Sequence, residues 1–152
     1  MSTIAEQLMA ALTTRLDDDL TSPLERDRVI DLESDDLPSK VLNWILDAPR
    51  ERPGVAANEL IDHRQLTVLF AVRVEAGSGQ KVSQVAEAES ATVVKNVCGP
   101  AGAASPFHHL AHRIRMGKRQ LILGKGNPPI GLLLMELLCD YQTRVTDAEA
   151  WA

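Results

Sequence analysis

The chain has 152 residues, 45% of them hydrophobic but only 3% aromatic, with two cysteines and a formal net charge of −5. A single domain of this length buries roughly 70% of its unfolded surface, so neither a disulfide framework nor a structural metal is required to hold it. The first residues lack a basic segment and Glu6 interrupts them, and the apolar runs are too short for a bilayer, so neither a signal peptide nor a membrane span is expected. The expectation is one soluble domain over residues 1–152, kept inside the cell that makes it, with Cys98 and Cys139 as reduced, buried thiols.

Thr3 and Glu6 have the spacing of a capping box, and Ile4, Leu8, Leu12 and Leu16 follow at helical intervals. They predict an amphipathic helix over residues 3–18. Asp17, Asp18 and Asp19 oppose its dipole and mark its end as a solvated turn. In the polar stretch that follows, Val29, Ile30 and Leu32 suggest a short strand. Residues 41–46 are apolar on both faces. Helix and buried strand are both open there, but short length, Trp44 and the flanking Pro38 and Pro49 favour the strand. Pro49, Pro53 and Gly54 then mark a mobile loop.

Residues 66–74 alternate cleanly and predict the central strand. Val82, Val85, Ala86, Val93 and Val97 predict a helix over 82–97, stopped by Gly99-Pro100. Phe107, Leu110, Ala111 and Ile114 fall at i, i+3, i+4 and i+7 and predict a second short helix. Residues 121–123 suggest a short strand, residues 124–129 a turn, and residues 130–145 the last strand. The tail from about 146 reads as acidic and loose. Grouped strands and helices imply an α+β fold: a mixed, mainly antiparallel sheet of four to five strands, with two or three helices on one face.

Charge is unevenly placed. The first 62 residues hold fourteen acids against six bases, whereas between Glu89 and Glu136 there are six bases and no acid. If the two blocks lie on different surfaces, copies attract head to tail.

Motifs for chemistry are weak. His108 and His112 are one helical turn apart, the spacing of a shared metal, with His109 between them. No carboxylate is near in sequence, and Arg113 and Arg115 repel a cation, so metal binding is disfavoured and no cofactor is expected. Gly124-Lys125-Gly126 lacks the remainder of a phosphate loop. The bases over residues 113–125 lack interleaved aromatics, which argues against sequence-specific nucleic-acid binding and leaves a basic protein–protein face. No serine sits in a nucleophile elbow and Cys98 has no evident base, so an enzyme is not expected.

In layout the chain resembles the tail terminator proteins of long-tailed bacteriophages, also called minor tail or tail completion proteins. The resemblance rests on the helix from Ile4 to Leu16, the strand led by Leu37-Pro38, a Gly/Pro-containing arm over residues 47–62, the strand opening Arg64-Gln65-Leu66-Thr67-Val68, and a last strand ending Tyr141-Gln142-Thr143-Arg144 with Asp147 beyond. The basic region over residues 98–127 is longer than the family pattern. The resemblance implies a virion protein of the tail or neck, made in the host cytoplasm. It implies a homo-oligomer, a hexameric ring, that caps the tail tube, stops its polymerisation, lets DNA through and offers a surface to the head connector. Its partners would be the major tail tube protein and a neck protein. On this reading the arm meets the basic stretch of the next copy, with Arg50, Glu51, Arg52, Glu59 and Asp62 facing Arg113, Arg115, Lys118 and Arg119. Another neck component, such as a head-closure or head–tail joining protein, and a protein–protein adaptor unrelated to phages are the alternatives.

Overall fold

The computed structural model describes residues 3–17, 24–26, 40–50, 61–77, 79–98, 107, 109–111, 113–124, 130–144 and 147–151. The order is α1 (Ile4–Leu16), β1 (Leu24–Arg26), β2 (Lys40–Pro49), β3 (Ile61–Glu75), α2 (Val82–Cys98), β4 (Arg113–Leu123), β5 (Ile130–Arg144) and β6 (Asp147–Trp151). The fold is α+β. Five strands form a mixed sheet in the order β1-β2-β3-β5-β4, and the short β6 pairs with the end of β5. The β1–β2 contact is parallel and the other pairs are antiparallel.

The capping box forms as the spacing predicts. The Glu6 N–H donates to Thr3 Oγ1 at 3.2 Å, and Ile4, Leu8, Met9, Leu12 and Leu16 are buried. The helix ends at Asp17, whose Oδ1 instead accepts the Leu24 N–H. Strand β3 lies against β5 along fifteen register pairs, from Ile61↔Arg144 to Glu75↔Ile130. Leu66, Val68, Phe70, Val72 and Val74 of β3, and Leu133, Met135, Leu137, Cys139 and Tyr141 of β5, join the helices in one apolar cluster. Alternation along each strand sets these residues on a common face. The opposite face holds a smaller cluster of Val41, Ala71 and Leu132. At one end of β5 the backbone approaches α2 so closely that a Cβ on Gly131 would lie 2.8 Å from Val82 Cγ1.

Four expectations change. The second helix is a single turn, in which the Leu110 and Ala111 N–H groups donate to the Phe107 carbonyl. Ile114 belongs instead to β4, and residues 121–123 are the end of that strand. Arg113-Ile114-Arg115-Met116 alternates with period two, but an extra residue between Met116 and Arg119 breaks the pattern and hides the strand. The tail is not loose throughout, since Asp147–Trp151 pairs with β5. The ends of the proposed arm, Asp47 to Pro49 and Ile61 to Asp62, are strand, while residues 51–60 lie outside the described residues. Residues 41–46 form a strand as favoured, yet Trp44, Ile45 and Leu46 are exposed. The strand suggested at Val29, Ile30 and Leu32 lies outside the described residues. No helix among the described residues is long and apolar enough to cross a membrane.

Candidate interaction site

A one-residue irregularity builds the site. Trp44 pairs with Val68 but Leu46 pairs with Thr67, so Ile45 is extra in β2. Before it, Leu42 and Trp44 share a face with Phe70 and Val68. After it the parity reverses, and Asp47 stands opposite Leu66 on that same helix-side face. Without the extra residue Asp47 would turn to the opposite face.

On the helix side Asp47 meets Arg64 and Tyr141. Arg64 Nε donates to Asp47 Oδ1 at 2.9 Å, its Nη1 to Asp62 Oδ2 at 3.1 Å, and its Nη2 to the Asp47 carbonyl at 3.3 Å. The Tyr141 hydroxyl donates to Asp47 Oδ2. Burial, then the bond to Asp47, holds the Tyr141 phenol above its ordinary range. Burial alone would lower the Arg64 guanidinium, but the carboxylates of Asp47 and Asp62 outweigh it and raise it. Nearby, Arg26 grips Glu6 at both oxygens, at 2.7 and 3.1 Å. The bond from Arg26 keeps the Glu6 carboxyl below its usual value, against the opposing effect of burial. These groups border a cavity of about 480 Å³, with Met9, Trp44 and Thr143 also in its wall.

The next residue along each strand builds the other face. Gln65 and Asp140 follow Arg64 and precede Tyr141 respectively, and pair in register. Asp140 is 1% exposed. Gln65 Nε2 donates to its Oδ1 at 3.0 Å, Arg50 Nη1 lies 3.0 Å from Oδ2, and Arg115 reaches both oxygens at 3.4 and 3.5 Å. Arg115 Nε and Asp140 Oδ2 form no aligned hydrogen bond, so the guanidinium groups hold this carboxylate mainly by charge.

The predicted interface residues are therefore partly engaged within one copy. Arg50 and Arg115, one from each proposed side, converge on Asp140. Asp62 is held by Arg64. The extra residue in β4 turns Arg119 to the helix side, where its Nη1 donates to Ser90 Oγ at 2.6 Å and lies 3.5 Å from Glu87. Arg113 and Lys118 are exposed. Glu51, Arg52, Glu59, His108 and His112 lie outside the described residues. Among the described residues no three His, Cys, Asp or Glu side chains are grouped to hold a metal ion. Cys98 and Cys139 are free thiols, Cys139 buried and Cys98 partly so.

Two features escape sequence reading. Asp140 is legible only as an acid set in an apolar strand, with no hint of its arginines. The other is an exposed apolar step at the sheet edge. β1 covers β2 only over Lys40 to Leu42, and no described strand pairs with the outer side of Asn43–Pro49. Trp44, Ile45 and Leu46 on this open half are 58%, 56% and 55% exposed. At the other edge of the sheet, β4 ends in Ile122 and Leu123, 38% and 69% exposed. Compared with known proteins, the sequence matches no family model and no curated protein.

Proposed function

We propose that this chain is a structural subunit that assembles into a ring of the kind formed by the phage tail terminators it resembles. Such a ring caps the tail tube, ends its growth and presents a surface to the head connector. The observation that carries the reading is the step of Trp44, Ile45 and Leu46 on an open strand edge. Three large apolar side chains in a row on an edge that no other described strand covers are a liability for a solitary molecule and serve one that docks. The resemblance supplies the kind of docking. Its two most telling segments, the strand opening at Arg64 and the phrase at Tyr141, pair with each other and share Asp47.

The test is electron microscopy of the purified protein with sedimentation at low ionic strength, followed by mixing with isolated tail tubes. Rings that bind tube ends are expected. A strictly monomeric protein that ignores tail tubes overturns the reading.

A further inference from the structure

We propose that the open half of β2 in one copy receives β4 of a second copy, added antiparallel, so that copies join head to tail through the two opposite edges of the sheet. The inference rests on the ring reading and names the surfaces that would meet in it. Each edge carries its own exposed apolar group, Trp44, Ile45 and Leu46 on β2 and Ile122 and Leu123 on β4. A contact between unlike edges covers both groups at once and leaves the same pair free at the ends, which is the condition for a repeating, closable assembly. Like-with-like pairing fails on both counts. Two β4 edges would set the exposed Arg113 and Lys118 of one copy against the same cations of the other, with no acid in the strand. Two β2 edges would leave Ile122 and Leu123 uncovered.

Direction follows from what is already occupied. β1 fills the edge beside Lys40 to Leu42 and Asn43 is already engaged, so an incoming strand has only Trp44–Pro49 among the described residues. A parallel β4 with Ile122 beside Ile45 would run its earlier residues into β1. An antiparallel one carries Lys118 away from β1, toward Asp47 and Asp62. There the carboxylates of Asp47 and Asp62 share one guanidinium, Arg64, and an incoming lysine would supply a second cation to the pair. The extra residues in both strands limit backbone pairing to short stretches, so side-chain fit selects the partner.

The test uses Leu46→Lys and Leu123→Lys in the full chain, with Ile45→Lys and Ile122→Lys as a second pair. All four positions are exposed, and unchanged circular dichroism checks the fold. Sedimentation velocity should show each variant alone as a monomer. An equal mixture of Leu46→Lys with Leu123→Lys should give a dimer and nothing larger, because one intact unlike contact remains. If the wild type forms rings and either variant still does so in both pairs, the edge assignment is overturned while the ring stands. Loss of assembly in Leu46→Lys alone, with Leu123→Lys unaffected, indicates β2–β2 pairing and also overturns it. A monomeric wild type overturns both.

Discussion

Arg64 and Tyr141 face each other across the β3–β5 register and bind opposite oxygens of one carboxylate, Asp47. Asp47 reaches them because β2 carries one residue more than its neighbour requires. Three strands are thereby tied at one level by polar bonds, beside a cavity that Met9, Trp44 and Thr143 also line.

Tyr141→Phe removes one bond to Asp47 and leaves the ring in place. A loss of about 1 kcal/mol is expected in denaturant unfolding. Arg64→Met leaves Asp47 and Asp62 together without a cation, and a loss of about 2–3 kcal/mol is expected. A double-mutant cycle between the two sites should be non-additive, since both act through Asp47. Additive losses would show that the shared carboxylate does not couple them.

Asp140→Asn should cost more. It leaves Arg50 and Arg115 against each other without the buried carboxylate that neutralises them, and breaking such a group costs about 3–5 kcal/mol. Both arginines are 33% exposed, which moves the expectation to the lower end of that range. Restoring part of the loss with Arg115→Met in the Asp140→Asn background would identify repulsion as the cause. No recovery would show that repulsion between the two arginines is not the cause.

Much of this architecture is readable in the sequence and some is not, for definite reasons. α1, β3, α2 and β5 are long enough for their period to show, and their buried faces are the ones the alternation selects. β4 is hidden because its extra residue breaks the alternation after Met116, and a chance helical spacing from Phe107 to Ile114 competes with it. Trp44, Ile45 and Leu46 read as interior because apolar residues usually are. Their exposure depends on β1 stopping alongside Leu42, a tertiary fact. The Asp140 network is invisible because its members come from β3, β4, β5 and the residue after β2, and strand register is not written in any one of them.

Gly131→Ala tests the tightest approach between sheet and helix. The added methyl meets Val82 Cγ1 at 2.8 Å and Leu121 Cδ1 at 3.0 Å, so α2 or β4 must shift. Overpacking of this kind costs about 1–3 kcal/mol. A thermal midpoint equal to that of the wild type would show that the helix yields freely.

Alkaline pH should weaken the fold. Burial, with Asp140 and Cys98 adding to it, pushes the Cys139 thiol up to about 12 from an ordinary 9.0. Tyr141 is raised for related reasons. Both groups keep their protons in the folded chain at pH values where the unfolded chain releases them. Stability is therefore fully present below the ordinary values and declines as pH rises, for Cys139 between about 9 and 12. Each group contributes a slope of up to about 1.4 kcal/mol per pH unit within its window. Urea unfolding from pH 8 upward should show the decline, and Cys139→Ala should flatten it. An unchanged slope in that variant would exclude the thiol as the source. A thiol reagent should reach Cys98 before Cys139, since only Cys139 is fully buried.

Ile45 behaves as a phase marker. Its deletion would leave composition and apolar content nearly untouched, yet every residue from Leu46 to Pro49 would exchange sides. Asp47 would abandon Arg64 and Tyr141, and Arg50 would swing away from Asp140. Removing one side chain that touches neither carboxylate would thus dismantle both. Adding a residue just downstream would restore the frame, so this stretch should tolerate compensated length changes far better than single ones.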